Sequence, residues 1–234
     1  MLDFYYRSRI AAKLNSSRGE LRLRSVFLPR LNSIYLTNPK VAGSTIIATL
    51  IAADGSPHLT NIADHNAASS RRLMSSEHDP WAFWRALNDP GCFLFSFVRD
   101  PFTRIESCYL DKIVPTVFPH FRRQLGLPPS GEVSFLDFLC HVVKQRPMAM
   151  NRHWRPQSDL LSPKVPFGFI GRFETFDAHF AYVLDRLNIS LSRESRDHST
   201  GVGFEPKLTG PEEIRLIREI YRADFERFGY KDYA

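Results

Sequence analysis

The sequence predicts an α/β fold of three layers, with a mainly parallel central sheet flanked by helices. Three observations carry that expectation. Runs of strand length recur at 34–37, 92–98 and 167–170, and each is followed by a helix-compatible stretch. The joints between them hold turn and helix-start residues rather than hairpin signals. The run CFLFSFV (92–98) is apolar almost throughout and rich in aromatics, as expected of a strand buried on both faces. Strands that alternate with helices in this way build parallel sheets.

In chain order, the β-rich run 34–37 meets Asn38-Pro39 and Gly43, which punctuate a turn, and 45–53 then reads as a helix of small and apolar residues. A second strand is possible at 58–62. Asp79-Pro80 forms an N-cap and first-turn pair ahead of a helix over 81–87. After the strand 92–98, Asp100 and Pro101 repeat that pattern and open a helix to about residue 113. Ser134 with Asp137 resembles a capping box for a helix over 135–145, and Thr209 with Glu212 does the same for the last helix, which Gly229 ends. The strand 167–170 precedes a helix over 175–187. Two long loops remain, 115–131 and 192–207, a length often associated with function.

Composition narrows the function. The chain has 234 residues, 43% of them hydrophobic, which suffices for one sizeable core. Its net charge of +6 is unevenly placed: residues 1–33 carry Arg7, Arg9, Lys13, Arg18, Arg22, Arg24 and Arg30 against Asp3 and Glu20. We read 1–33 as a basic arm and 34–234 as a single domain whose charges nearly balance. Such an arm can attract nucleic acid, anionic lipid or an acidic polymer, or it can be a solvated leader packed on the domain edge. The near-neutral remainder gives no reason to expect nucleic acid as a partner. Cys92, Cys108 and Cys140 form no CxxC pair and read as free thiols, which fits a reducing compartment. Residues 1–33 offer no continuous apolar stretch of signal-peptide type, and 41–53 is too short to span a membrane. The expectation is a soluble, cytoplasmic protein without a transmembrane segment.

The chemistry concentrates in two motifs. PKVAGST (39–45) follows the first strand and opens a helix. Backbone N–H groups of Val41, Ala42, Gly43, Ser44 and Thr45 at a helix start favour an anion. The Ser44 and Thr45 hydroxyls add donors, Gly43 adds backbone freedom and Lys40 adds a mobile charge. Alone this is also compatible with a tight turn and a capping Ser. It is not the GxxxxGK[ST] loop of nucleotide hydrolases, because the lysine precedes the glycine. The second motif, RDPFTRIESCYLDK (99–112), places Arg99 at a strand's carboxyl end, where ligands bind in open α/β sheets, and Ser107 two helical turns on. The pair suits a second phosphate; the alternative for Arg99 is an ion pair with Asp100 or another carboxylate.

The order strand–PKVAGST–helix, then strand–RDPFxRIxSxY, is similar to the paired donor-binding motifs of the sulfotransferases that use 3′-phosphoadenosine 5′-phosphosulfate (PAPS). The closer resemblance is to the carbohydrate branch with the chondroitin and dermatan enzymes. HWRPQSDLLSP (153–163), FGFIGRFE (167–174) and DFERFGY (224–230) extend it over about 34–230. The resemblance implies a P-loop-like three-layer fold and PAPS as co-substrate. By it, Lys40 and the Val41–Thr45 backbone hold the 5′-phosphosulfate, and Arg99 with Ser107 holds the 3′-phosphate. It implies a carbohydrate or other hydroxyl acceptor. Where the branch has the cysteine pair of LCxPC, this chain has Leu161 and Lys164, which points to a bacterial-type soluble relative and puts the animal acceptors in doubt.

Sulfuryl transfer needs a base for the acceptor hydroxyl and positive charge on the leaving phosphate, and no metal. No HExxH or CxxC ligand set is present. Lys40 suits the leaving oxygen. Among His58, His65 and His78, between the two motifs, His65 is our choice of base, since it would follow the possible strand 58–62. His153 is second, although Trp154 beside it also fits a packing element, and Glu174 is third. Arg104 reads as a helix brace or as the partner of a carboxylate. Two other functions compete: a P-loop-like small-molecule kinase, disfavoured by the missing GK[ST], and a non-catalytic module for anionic glycans, disfavoured by intact Lys40, Arg99 and Ser107.

Overall fold

The computed structural model describes residues 24–53, 80–190 and 210–232. These residues pack as two compact units, each with its own core: one formed up to residue 98 and from 161 to 190, the other from 99–160 and 210–232. The possible strand 58–62, Asp79, Thr209 and the loop 192–207 lie outside the described residues.

The first unit holds the sheet. Among the described residues it has four strands in sequential order: β1 (Ser25–Leu28), β2 (Ser33–Leu36), β3 (Phe93–Val98) and β4 (Phe169–Arg172). β2, β3 and β4 are parallel neighbours, as the alternation of strands and helices predicts. β1 runs antiparallel to β2, with Val26 opposite Tyr35. It falls inside 1–33, so the last residues of the stretch assigned to a basic arm are the edge strand of the fold. Four apolar-leaning residues between arginines carry no strand signal of their own; SVFL is a strand because it pairs with β2.

Side-chain alternation explains the layers. Phe93, Phe95 and Phe97 of β3 point to one face. There they meet Val41, Ile46 and Leu50 of the loop and helix α1 (Gly43–Ala53), with Phe180, Val183 and Leu184 of a later helix over Phe176–Arg186. On the opposite face Phe27 meets Phe83 of α2 (Pro80–Asn88) edge to face, 5.8 Å between ring centroids. Each buried Phe contributes about 1.5–3 kcal/mol. Gly171 of β4 stands opposite Phe97, and a Cβ there would run into the Phe97 ring. Gly171, the second glycine of the FGFIGRFE motif, therefore serves packing.

The second unit is helical. α3 (Pro101–Lys112) starts as expected, with the Asp100 carboxylate accepting from the Thr103 N–H at 3.0 Å and Pro101 in the first turn. The loop 115–131 contains α4 (Pro119–Gln124). α5 (Phe135–Val142) is capped by Ser134, whose Oγ accepts from the Asp137 N–H and donates to the Asp137 carboxylate. A single-turn helix α6 (Gln157–Leu160) follows. The Phe176–Arg186 helix of the first unit is α7, and the chain ends in α8 (Pro211–Phe228). The N-cap of α8 is Gly210, without a side-chain bond, and Glu212 in its first turn pairs with Arg215. Gly229, at φ 63°, ends α8 as expected, its N–H returning to Phe225 O. Phe102, Ile105, Phe138, Leu139, Trp154, Ile217, Tyr221 and Phe225 form the core between α3, α5 and α8. Cys108 is buried, Cys92 and Cys140 are half-buried, and none of the three forms a disulfide.

One residue pins most of the long loop. Arg122 is 2% exposed, and its guanidinium donates to the carbonyls of Ile113, Val114, Pro128 and Gly131 at 2.8–3.4 Å. A planar five-donor fork serves four carbonyls at once, which an ammonium on a flexible stem does not. Arg122→Lys is therefore expected to destabilise the protein by roughly 1.5–3 kcal/mol, read as a lower urea midpoint at constant slope. An unchanged midpoint would show that the fork contributes nothing.

Candidate functional site

The phosphate-type loop lies in the first unit, at the carboxyl end of β2, where α1 begins at Gly43. Its backbone differs from the sequence expectation in an informative way. The left-handed residues are Lys40 (φ 71°) and Ala42 (φ 59°), not Gly43, where a Cβ would meet nothing closer than 3.7 Å. The chain must reverse before α1 starts, so the unusual conformations fall ahead of the glycine. Each left-handed L-residue costs about 1–2 kcal/mol. Such strain is characteristic of ligand clamps, and positive φ values alternating along a loop turn successive N–H groups into an anion-binding concavity. Lys40, Ala42 and Thr45 are half-buried, Ser44 is exposed and Val41 is fully buried in the core.

Two side chains hold this loop from below. The amide of Asn38 donates to Phe97 O at 2.9 Å, tying the loop to the end of β3. The hydroxyl of Tyr35, stacked on Phe95, lies under Gly43, and burial pushes its pKa well above the usual phenol range, with the Asn38 N–H opposing. The phenol therefore stays neutral. Neither residue was selected from the sequence, because an apolar strand with an Asn-Pro turn carries no signal of what lies beneath the loop.

Arg99 and Ser107 lie in the second unit. Arg99 is 6% exposed, and its Nε donates to Thr103 Oγ1 at 3.1 Å. Thr103 and Ser107 stand one turn apart on α3, so Arg99, Thr103 and half-buried Ser107 form a single stripe. Thr103, not selected in the sequence, is its middle member; the signal was its spacing of four from both. Arg104 acts as the expected brace, donating to Arg155 O at 3.1 Å and Arg152 O at 3.2 Å.

The HWRPQ segment is a set of internal ties. Trp154 is fully buried and donates to Gln145 Oε1, and Arg155 donates to Met150 O. Gln157 accepts from the Arg99 N–H at 2.9 Å and donates to Arg99 O at 2.8 Å. His153 is half-buried, its ring edge-on to Phe121 at 5.4 Å and its N–H donating to Asn151 Oδ1. Glu174 is exposed in a short 3₁₀ turn after β4. His65, with His58 and His78, lies outside the described residues. Among the described residues no cluster of His, Cys, Asp or Glu could hold a metal ion, and no helix is long and apolar enough to cross a membrane.

Residues 24–231 match the sulfotransferase family, so the match begins just before β1 and includes both units. The chain is 33% identical to carbohydrate sulfotransferase 14 of Mus musculus over 105 residues, 40% of this chain and 28% of that protein. It is 28% identical to carbohydrate sulfotransferase 14 of Danio rerio over 166 residues, 59% and 44% of the two chains. With carbohydrate sulfotransferase 11 of Mus musculus the identity is 25% over 164 residues, 58% and 46%. The chain thus spans less than half the length of these curated relatives. No solved structure matches.

Proposed function

Because the chain belongs to the sulfotransferase family, we propose that it transfers the sulfuryl group of PAPS to a hydroxyl of a carbohydrate. The carbohydrate acceptor is supported by relatives named carbohydrate sulfotransferases. The observation that carries the reading is the strained loop of Lys40 and Ala42 running into the start of α1. It is an anion cradle whose cost in folding free energy a bound phosphosulfate would offset.

In this reading the backbone of Val41–Thr45 and the Lys40 ammonium hold the 5′-phosphosulfate, while Arg99, steadied by Thr103, and Ser107 hold the 3′-phosphate. The acceptor oxygen attacks sulfur as the bond from sulfur to the bridging oxygen breaks. The hydroxyl proton passes to a base, and 3′-phosphoadenosine 5′-phosphate leaves. Charge grows on the bridging oxygen during this step, and Lys40 is the group suited to it. His65 is our candidate for the base, with His153 second.

Titration with 3′-phosphoadenosine 5′-phosphate tests the donor assignment. Binding without metal is expected, and Arg99→Ala should weaken it by about one to two decades, the effect of losing a charge-assisted phosphate contact worth roughly 1.5–3 kcal/mol. Equal binding of adenosine 5′-phosphate would contradict the role of Arg99.

A further inference from the structure

We propose that Gln157 and Asp224 form a positioning relay that sets the direction of Arg99 and thereby the preference for a nucleotide bearing a 3′-phosphate. The proposal rests on the assignment of Arg99 to that phosphate.

Arg99 occupies an awkward place in the chain. Its neighbour Val98 is the last residue of β3 in the ladder, paired with Arg172, and its other neighbour Asp100 is the cap of α3. Between ladder and helix its backbone N–H and C=O must still be bonded, and the Gln157 side chain bonds both. Its amide accepts from the Arg99 N–H at 2.9 Å and donates to Arg99 O at 2.8 Å, imitating a strand neighbour. The orientation of the amide is determined by chemistry, since the N–H needs the oxygen and the carbonyl needs the nitrogen. Gln157 is fully buried, so water does not compete for these bonds.

Gln157 is in turn held by α8. Asp224 is also fully buried, and its Oδ2 accepts from the Gln157 N–H at 2.8 Å and more weakly from Gln157 Nε2 at 3.4 Å. Its Oδ1 accepts from the Ser158 N–H at 2.7 Å. On the same helix Tyr221 donates to Trp154 O at 2.6 Å and Arg227 to Ser158 O at 3.0 Å. Tyr221 stands at a kink in α8 (φ −112°, ψ 19°), and with Asp224 and Arg227 beyond it α8 holds 154–158 in place by these bonds. Burial, and after it the nearby Asp224 carboxylate, raises the pKa of Asp159, with Arg155 opposing.

The path from α8 to the anion stripe is continuous: Asp224 to Gln157, Gln157 to the Arg99 backbone, and the Arg99 guanidinium to Thr103, one turn before Ser107. Every link is a buried hydrogen bond of ordinary length except the weak Nε2 contact. Neither Gln157 nor Asp224 need touch substrate. They act by fixing the backbone from which the Arg99 side chain departs.

The test compares 3′-phosphoadenosine 5′-phosphate with adenosine 5′-phosphate by isothermal titration in wild type, Gln157→Met, Asp224→Asn and Arg99→Ala. Gln157→Met keeps the length but removes both bonds to Arg99. Asp224→Asn keeps the shape but turns one acceptor toward an N–H donor. Both variants should lose about tenfold in affinity for the bisphosphate, the size expected of coupled neighbours in one network, and stay within about twofold for adenosine 5′-phosphate. Adding Gln157→Met to Arg99→Ala should cost nothing further. A wild type that binds both nucleotides equally overturns the Arg99 assignment and this inference with it. A discriminating wild type with equally discriminating variants overturns the relay alone. Equal losses for both nucleotides also overturn it, since a merely structural role would act on both. Should Gln157→Met fail to fold, the near-isosteric Asp224→Asn decides by the same comparison.

Discussion

Lys40→Ala is expected to lower turnover with PAPS by about 10²–10³-fold, the effect of removing one preorganised group from a developing oxyanion. The apparent KM for PAPS should change much less, because a group that responds to charge appearing on the bridging oxygen acts mainly in the transition state. The backbone makes alanine the right replacement. Lys40 sits at φ 71°, and Ala keeps the Cβ and hence the strain of that position. The substitution therefore reports on the ammonium and not on a relaxed loop, whereas Lys40→Gly would mix the two. Intact turnover with a raised KM would make Lys40 a binding residue and remove it from the chemical step.

Loss of the base should be larger still. His65→Ala is expected to cut turnover by about 10²–10⁴-fold and leave affinity for 3′-phosphoadenosine 5′-phosphate nearly unchanged, because general-base catalysis contributes in that range without holding the nucleotide. His153→Ala is the paired measurement. The His153 ring packs edge-on to Phe121 and its neighbour Trp154 is fully buried, so this variant should lose some stability while keeping turnover. If His153→Ala abolishes turnover in folded protein and His65→Ala does not, the two roles are exchanged.

The residues proposed for the anion sites stand out along the chain because their signals are local. Asp100-Pro101 before an amphipathic run specifies a helix start within four residues, and the side-chain cap is in place. Arg99 and Ser107 were recognisable from a strand end and a spacing of two turns. Lys40 was recognisable from its place before a helix start. Gly43 was misread in role: a glycine signals conformational freedom in any sequence, but the residues that adopt left-handed backbone here are Lys40 and Ala42, and only the path from β2 into α1 determines that. The edge strand β1 was missed for a related reason, since SVFL between arginines acquires its meaning from pairing with β2.

The α/β alternation, the capped start of α3 and the family were thus legible along the chain, because they depend on residues within a few positions of one another or on ordered motifs. The tertiary structure decided what the remaining motif residues do. Arg122 gathers carbonyls from residues up to nine positions away. Gln157 reaches Arg99 across 58 positions, and Asp224 reaches Gln157 across 67. A buried polar side chain must find partners wherever the fold brings them, and no spacing rule along the chain encodes which backbone group that will be.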